Sequence, residues 1–168
     1  MRPPPLTTRV AVPADAGAMA RTMHLGFATY RSFAPAGWAL TWSVDDEAGW
    51  VRERLRSPGA WALLAEVAGE PAGHVALLPE ADRRDTAYLW QLFVRPAWWG
   101  SGLAGRLHEA FAAQARGAGY RRARLRTPAG HARARRFYER RGWRTDGPPD
   151  DLLGFGMPLA TYRLDLPG

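Results

Sequence analysis

The sequence predicts an α/β fold of mixed α+β character: one mixed, mostly antiparallel sheet flanked by helices on both faces. Three observations carry this. Short apolar runs between residues 61 and 94 are joined by tight polar turns, the pattern of hairpins. Later strand-like runs are separated by stretches of helical spacing, the pattern of crossovers. Between the two series stands a strand–turn–helix unit, Leu92 to Ala104, with glycines in its turn. Hairpins followed by crossovers make a mixed sheet that needs cover on both faces.

Taken in order, Leu6–Val12 reads as a first strand. Pro13 and Asp15 open a helix, since proline suits a first turn and an acid suits the positive end of the dipole. Met19, Met23, Phe27 and Tyr30 form its apolar stripe. Phe33–Trp42 is aromatic and broken by Pro and Gly, hence a loop, and Val44–Leu55 is a second helix. Trp61–Val67 and Gly73–Leu78 are hairpin strands, and Thr86–Val94 is a longer strand after the polar turn Pro79–Asp85. Leu103, Leu107 and Phe111 mark an amphipathic helix to about Gly117. Arg121–Arg126 alternates with Ala123 and Leu125, as a strand does. His131–Arg141 is a helix ended by Gly142, Gly147–Asp151 is a loop, and Phe155–Leu166 is a final strand region interrupted by Pro158.

The 168 residues suit one domain, 1–168, and 46% apolar residues suffice for a core. No apolar run approaches the ~20 residues of a membrane span. Met1-Arg2-Pro3-Pro4-Pro5 lacks the apolar stretch of a signal peptide. Without cysteine there is neither a disulfide framework nor a thiol nucleophile. A cytoplasmic location is expected. The net charge is +7, and all 23 basic residues are arginine. Lys, Ile, Asn and Cys are absent, which matches a GC-rich codon bias. The charge favours anionic partners, either nucleic acid or a phosphorylated cofactor. The arginines are spread along the chain, with no zinc-finger spacing and no RNA-binding aromatic motif, so nucleic acid is not expected. His24, His74 and His108 show no metal spacing, and no metal is expected.

The unit around Gly100 and Gly102 carries chemistry. A turn leading into a helix presents free N–H groups where the dipole favours an anion, and small residues let a phosphate approach the backbone. The run Trp99-Gly100-Ser101-Gly102-Leu103-Ala104 resembles the pyrophosphate loop of the GNAT superfamily of acyl-CoA-dependent N-acyltransferases. That family's pattern is Gln/Arg-x-x-Gly-x-Gly/Ala. Gly102 and Ala104 match, and Trp99 departs from it. Arg136-Phe137-Tyr138-Glu139-Arg140-Arg141-Gly142-Trp143 resembles the family's Phe-Tyr-x-x-x-Gly-Phe signature, and Met157-Pro158-Leu159 resembles its closing strand. The element order extends the resemblance over nearly the whole chain.

The resemblance implies acetyl-CoA as co-substrate and an amine as acceptor, and leaves room for a homodimer. It implies that Trp99, Gly100, Ser101, Gly102, Leu103 and Ala104 face the pyrophosphate, and that backbone groups of Leu92, Phe93 and Val94 serve the pantetheine arm. An amide near Val94 would hold the oxyanion. Arg95 and Arg106 either pair with phosphates or are solvated. Tyr138 would protonate the leaving thiolate, since a phenol of pKa near 10 is protonated at neutral pH. A tyrosine merely packed on the core is the other reading. His131 stands where many members have a cofactor-contacting Asn, and is otherwise a helix-start residue.

Many members carry a carboxylate base in a pattern like Glu-Asp-Leu-x-Val. Here those places hold Trp90-Gln91-Leu92-Phe93-Val94. Gln91, which can hold a water, is the candidate left there, with Glu80 and Asp85 nearby in sequence. At pH 7 an amine of pKa 10.4 is neutral for about one molecule in 2,500, and an α-amine near 7.8 for about one in seven. A site without a strong base therefore favours α-amines. The acceptor side falls to the first two helices, their loop and the end of Thr86–Val94, where Tyr30, Phe33, Trp38, Trp42, Trp50 and Trp90 serve either as pocket or as core. A non-catalytic acyl-CoA-binding module on the same fold is the alternative to an enzyme.

Overall fold

The computed structural model describes residues 4–168, so Met1–Pro3 at the proline-rich start lie outside the described residues. The strands are β1 (Leu6–Val10), β2 (Trp61–Val67), β3 (Glu70–Pro79), β4 (Thr86–Val94), β5 (Arg122–Pro128), β6 (Arg144–Thr145) and β7 (Leu159–Asp165). The α-helices are α1 (Ala16–Ala28), α2 (Val44–Leu55), α3 (Leu103–Gly117) and α4 (Ala132–Glu139). Among the described residues they form a seven-stranded sheet of order β1-β2-β3-β4-β5-β7-β6. β4 and β5 run parallel, and the other neighbours are antiparallel.

Local chemistry explains most boundaries. β1 stops two residues short of the expected Val12, because the Asp15 carboxylate accepts from the Val12 amide at 2.8 Å. Pro13 opens a single 3-10 turn there, and α1 proper begins at Ala16. At α2, Ser43 Oγ accepts from the Asp46 amide at 3.1 Å while Asp46 accepts from the Ser43 amide at 2.9 Å, a reciprocal cap. β3 is longer than expected at both ends. Ala68 (φ 52°) and Gly69 (φ 81°) complete a two-residue turn of the type I′ kind, which leaves Glu70 and Pro71 in the strand. β7 starts at Leu159 rather than Phe155. Asp151 accepts from the Phe155 and Gly156 amides at 2.8 and 3.2 Å, and Pro158 has no N–H to give a ladder. α4 spans Ala132–Glu139, shorter than expected at both ends, with His131 as its N-cap. β6 was not expected, and two residues carry too little pattern to show it.

Two cores follow from the two faces. On one, α1 and α2 bury Met19, Met23, Phe27 and Val51 against Leu64 and Ala76. On the other, α3 buries Leu103, Leu107 and Phe111 against Leu125, Trp143 and Tyr162. Trp143, the largest fully buried side chain, donates from its indole to His108 Nε2 at 2.9 Å. α1 comes close to β4 at Gly26, where an added Cβ would sit 2.6 Å from the Phe93 ring. No helix among the described residues is long and apolar enough to cross a membrane.

A candidate cofactor cleft between parted strands

β4 and β5 pair only from Thr86↔Arg122 to Tyr88↔Arg124. Beyond that, β4 runs on to Val94 while β5 stays with β7 through Pro128. Just past the last pair, β4 carries a bulge. Ala76 of β3 pairs with Gln91 and Leu77 with Leu89, so Trp90 is the extra residue on β4. A bulge bends its strand and raises its twist. The opening is a cavity of about 370 Å³ whose walls include Leu92, Val94, Thr127, His131, Tyr138 and Phe155.

Backbone direction sorts the expected strand residues. The Arg95 amide donates to Ala72 on β3 at 2.9 Å. Successive residues of a strand point their polar groups opposite ways, so Phe93 also faces β3 while Leu92 and Val94 face the cleft, where no strand meets them. The Phe93 ring lies on the α1 side, edge to Phe27 at 5.3 Å. Phe93 thus differs from Leu92 and Val94, the other two residues expected to serve the pantetheine arm. One cleft-facing group is already engaged: the Trp99 indole donates to the Val94 carbonyl at 2.8 Å. The Arg133 guanidinium stacks over the same indole, 3.9 Å from the ring centroid. Trp99 and Arg133 lie 34 positions apart in the chain (133 − 99), so no local pattern joins them.

The turn after β4 leads into α3 through two glycines. Gly100 (φ 79°) and Gly102 (φ 83°) are both left-handed, and Gly102 is the N-cap of α3. Nothing stands within 4 Å of a Cβ built on either, so the space in front of them is open. Ser101 Oγ donates to the Trp98 carbonyl at 2.6 Å and accepts from the Leu103 amide at 3.3 Å, which ties the turn shut. The amides of Ala104 and Gly105 lie in the first helical turn and have no acceptor within the helix. Gln or Arg at position 99 is therefore not required for the turn to form. Open space, two left-handed glycines and free first-turn amides fit a pyrophosphate, and the adjoining cleft fits an extended arm.

Tyr138 is buried on α4, its ring edge-on to Phe137 at 5.2 Å and to Trp143 at 5.9 Å, and it lines the cleft. Burial pushes its phenol above the usual range, so it stays protonated at any physiological pH. His131 also lines the cleft, with its ring stacked on Phe33 at 4.7 Å and burial pushing its pKa down to about 4. It is a neutral, apolar-packed imidazole there. Tyr30, Trp38, Trp42 and Phe155 interlock by ring contacts, and Trp38 donates from its indole to the Phe155 carbonyl at 2.9 Å. Of the expected aromatic pocket, Tyr30 and Trp90 line the cleft, Phe33, Trp38 and Trp42 are partly buried against the α1 core, and Trp50 is 42% exposed.

Gln91 is 2% exposed, and its Oε1 accepts from His74 Nε2 at 2.9 Å. His74 Nδ1 and Gln91 Nε2 are buried with no protein partner. Neither histidine nor glutamine was linked to the other by the sequence, since they lie on different strands. Burial, reinforced by Arg95, pushes His74 down to about 4, while the bond to Gln91 pulls the other way. An unfolded histidine near 6.5 binds a proton that the folded one refuses. Stability should therefore fall as pH drops from about 6.5 towards 4, by at most on the order of 3 kcal/mol from this group. Urea unfolding at pH 7.5 and 4.5 measures it, and in His74→Leu the loss between the two pH values should shrink.

A sheet split beside a glycine turn at a helix start has the shape that fits a long, phosphate-bearing cofactor. A family model of the acetyltransferase (GNAT) family matches residues 26–143, and the chain belongs to that family. It is an acetyltransferase that uses acetyl-CoA. Solved structures share the fold over almost the whole chain. A Desulfovibrio desulfuricans protein assigned to the GNAT family is 24% identical, with a TM-score of 0.77 and coverage of 97% of this chain and 100% of that one. An acetyltransferase of Thermus thermophilus is 24% identical, with a TM-score of 0.75 and coverage of 99% and 100%. A Salmonella typhimurium protein assigned to the acetyltransferases, solved with its cofactor acetyl-CoA, is 22% identical, with a TM-score of 0.72 and coverage of 96% and 94%. No curated protein matches the sequence significantly.

Proposed function

We propose that the chain is a single-domain N-acetyltransferase that transfers the acetyl group of acetyl-CoA to a primary amine, of a small molecule or a peptide N-terminus, by direct attack in a ternary complex. The observation that carries this is the continuity of one cleft past the free edge of β4, the turn before α3 and the Tyr138 side chain. Bound acetyl-CoA supplies an activated acyl carbon in its thioester. The turn Trp99–Ala104 binds the pyrophosphate through its amides, and Leu92 and Val94 align the pantetheine arm. To do so, Val94 must release the Trp99 indole or share its carbonyl with it. A backbone amide near Val94 polarises the thioester carbonyl. The amine lone pair forms the new C–N bond, the C–S bond breaks, and the Tyr138 phenol gives its proton to the departing thiolate. The proton lost by the amine restores the phenol through solvent. Positioning supplies most of the rate, as the sheet holds the two reactants together.

Gln91 faces His74 and has a positioning part: it holds the bulge that aims Trp90 and the cleft edge. No carboxylate base is invoked, so the neutral fraction of the bound amine sets how much is ready to attack. The enzyme should release CoA from acetyl-CoA in the presence of α-amines and release much less in their absence. A thiol-detection assay over α-amino compounds, peptides and polyamines measures this, and silence across the panel would sink the reading.

A further inference from the structure

A second recess of about 390 Å³ opens beside the cofactor cleft. It shares Tyr88, Trp90, Leu125, Arg126 and Leu153 with that cleft, so the two cavities meet along the line where β4 and β5 part. Its remaining walls bring in Arg54 of α2, Glu80 and Arg124. This is the face of the sheet covered by α1 and α2. Three guanidiniums and one carboxylate therefore line a space that opens into the cofactor cleft beside Tyr88 and Trp90.

The guanidiniums have few close protein partners. Among the described residues Arg54 makes no ion pair, and it lies 5.4 Å from the centroid of the Trp90 ring. Arg126 reaches Asp150 only at 3.4 Å. Arg124 reaches Glu80 at 3.4 Å and Asp146 at 3.9 Å, and its Nε is buried with no acceptor. Charge-assisted bonds normally close to about 2.7–2.9 Å. The flat rings of Tyr88 and Trp90 leave apolar wall between these charges.

We infer that this recess is the acceptor site and that it selects amines carrying a carboxylate, in the class of free α-amino acids with an apolar side chain. The inference rests on the N-acetyltransferase reading above and names the acceptor class for it. Guanidinium geometry suits bidentate capture of a carboxylate. Capture by Arg54 and Arg126 leaves the amine free to turn towards the joint cavity, and the apolar side chain packs on Trp90. A polyamine meets repulsion from the same three arginines.

Matched acceptors test it: leucine against leucinamide, phenylalanine against phenylalaninamide, and spermidine. Each amide keeps the body and the amine, and its amine has the lower pKa, so chemistry alone favours the amide. The expected result is a kcat/KM at least 10-fold higher for the acids, with spermidine poorer still. In Arg54→Met the ratio should fall to within about 3-fold, and in Arg54→Glu it should invert, with acetyl-CoA affinity unchanged by calorimetry. Arg54 is an exposed helix residue, so both variants should fold. Amides or spermidine used equally or better, or a ratio untouched in both variants, would overturn the assignment. An enzyme that binds acetyl-CoA but acetylates none of the acids overturns the acceptor class alone. A chain that does not bind acetyl-CoA overturns the transferase reading beneath it.

Discussion

Gly102→Val should weaken acetyl-CoA binding by at least about 10-fold while leaving the thermal transition only slightly lowered. Gly102 has φ 83° and no neighbour within 4 Å of a built Cβ. The wild-type turn therefore needs glycine for its backbone, not for lack of room. A β-branched residue in the left-handed region costs about 1–2 kcal/mol or more, and the turn relaxes elsewhere to avoid it. Relaxation turns the first amides of α3 away from a common point. The valine side chain also projects into the open space the pyrophosphate would fill. Each 1.4 kcal/mol lost from that contact is tenfold in affinity. Calorimetric titration with acetyl-CoA reads the loss directly. Gly102→Ala separates the two causes, since it keeps the backbone strain and removes most of the bulk. Wild-type affinity in the valine variant would remove this turn from the cofactor site.

The shape of the turn was legible because its glycines and small residues form one helix start within six positions, 99 to 104. The order of strands was legible for a similar reason: hairpins and crossovers announce themselves by spacing and turn chemistry. What escaped depends on pairing between distant segments. Trp90 reads as one more apolar residue of an alternating strand, and only the register against Ala76 and Leu77 shows that it is extra. That single insertion sits just past the last β4–β5 pair, where the cleft opens. The bond of His74 to Gln91 and the stacking of Arg133 on Trp99 join positions 17 and 34 residues apart, by subtraction of their numbers, and no local pattern encodes them. Arg124 and Arg126 were read as the polar half of an alternating strand. Their joint position with Arg54 follows from where α2 lies on the sheet, which periodicity does not state.

Tyr138→Phe should lower kcat by about 100-fold or more and leave acetyl-CoA affinity within about twofold of wild type. General acid catalysis by a placed group contributes roughly 10²–10⁴. The ring does the packing: Tyr138 is 7% exposed and touches Phe137, Trp143 and Tyr162 through its faces and edges. Phenylalanine keeps every one of those contacts, so stability should barely change. Only the hydroxyl is lost, and burial raises its pKa, so in the wild type it carries its proton throughout the accessible pH range. A tyrosine present only for packing predicts no loss of turnover at all. Pre-steady-state mixing adds a second readout. With a general acid removed, acetylation itself should slow in the first turnover, whereas a defect in product release would leave the first turnover fast. An acyl donor whose thiol has a lower pKa needs less help to leave, so such a thioester should recover part of the lost rate in Tyr138→Phe and gain little in the wild type. Equal loss with both donors would place Tyr138 outside the protonation step, and unchanged turnover would leave it as a core residue beside the cleft.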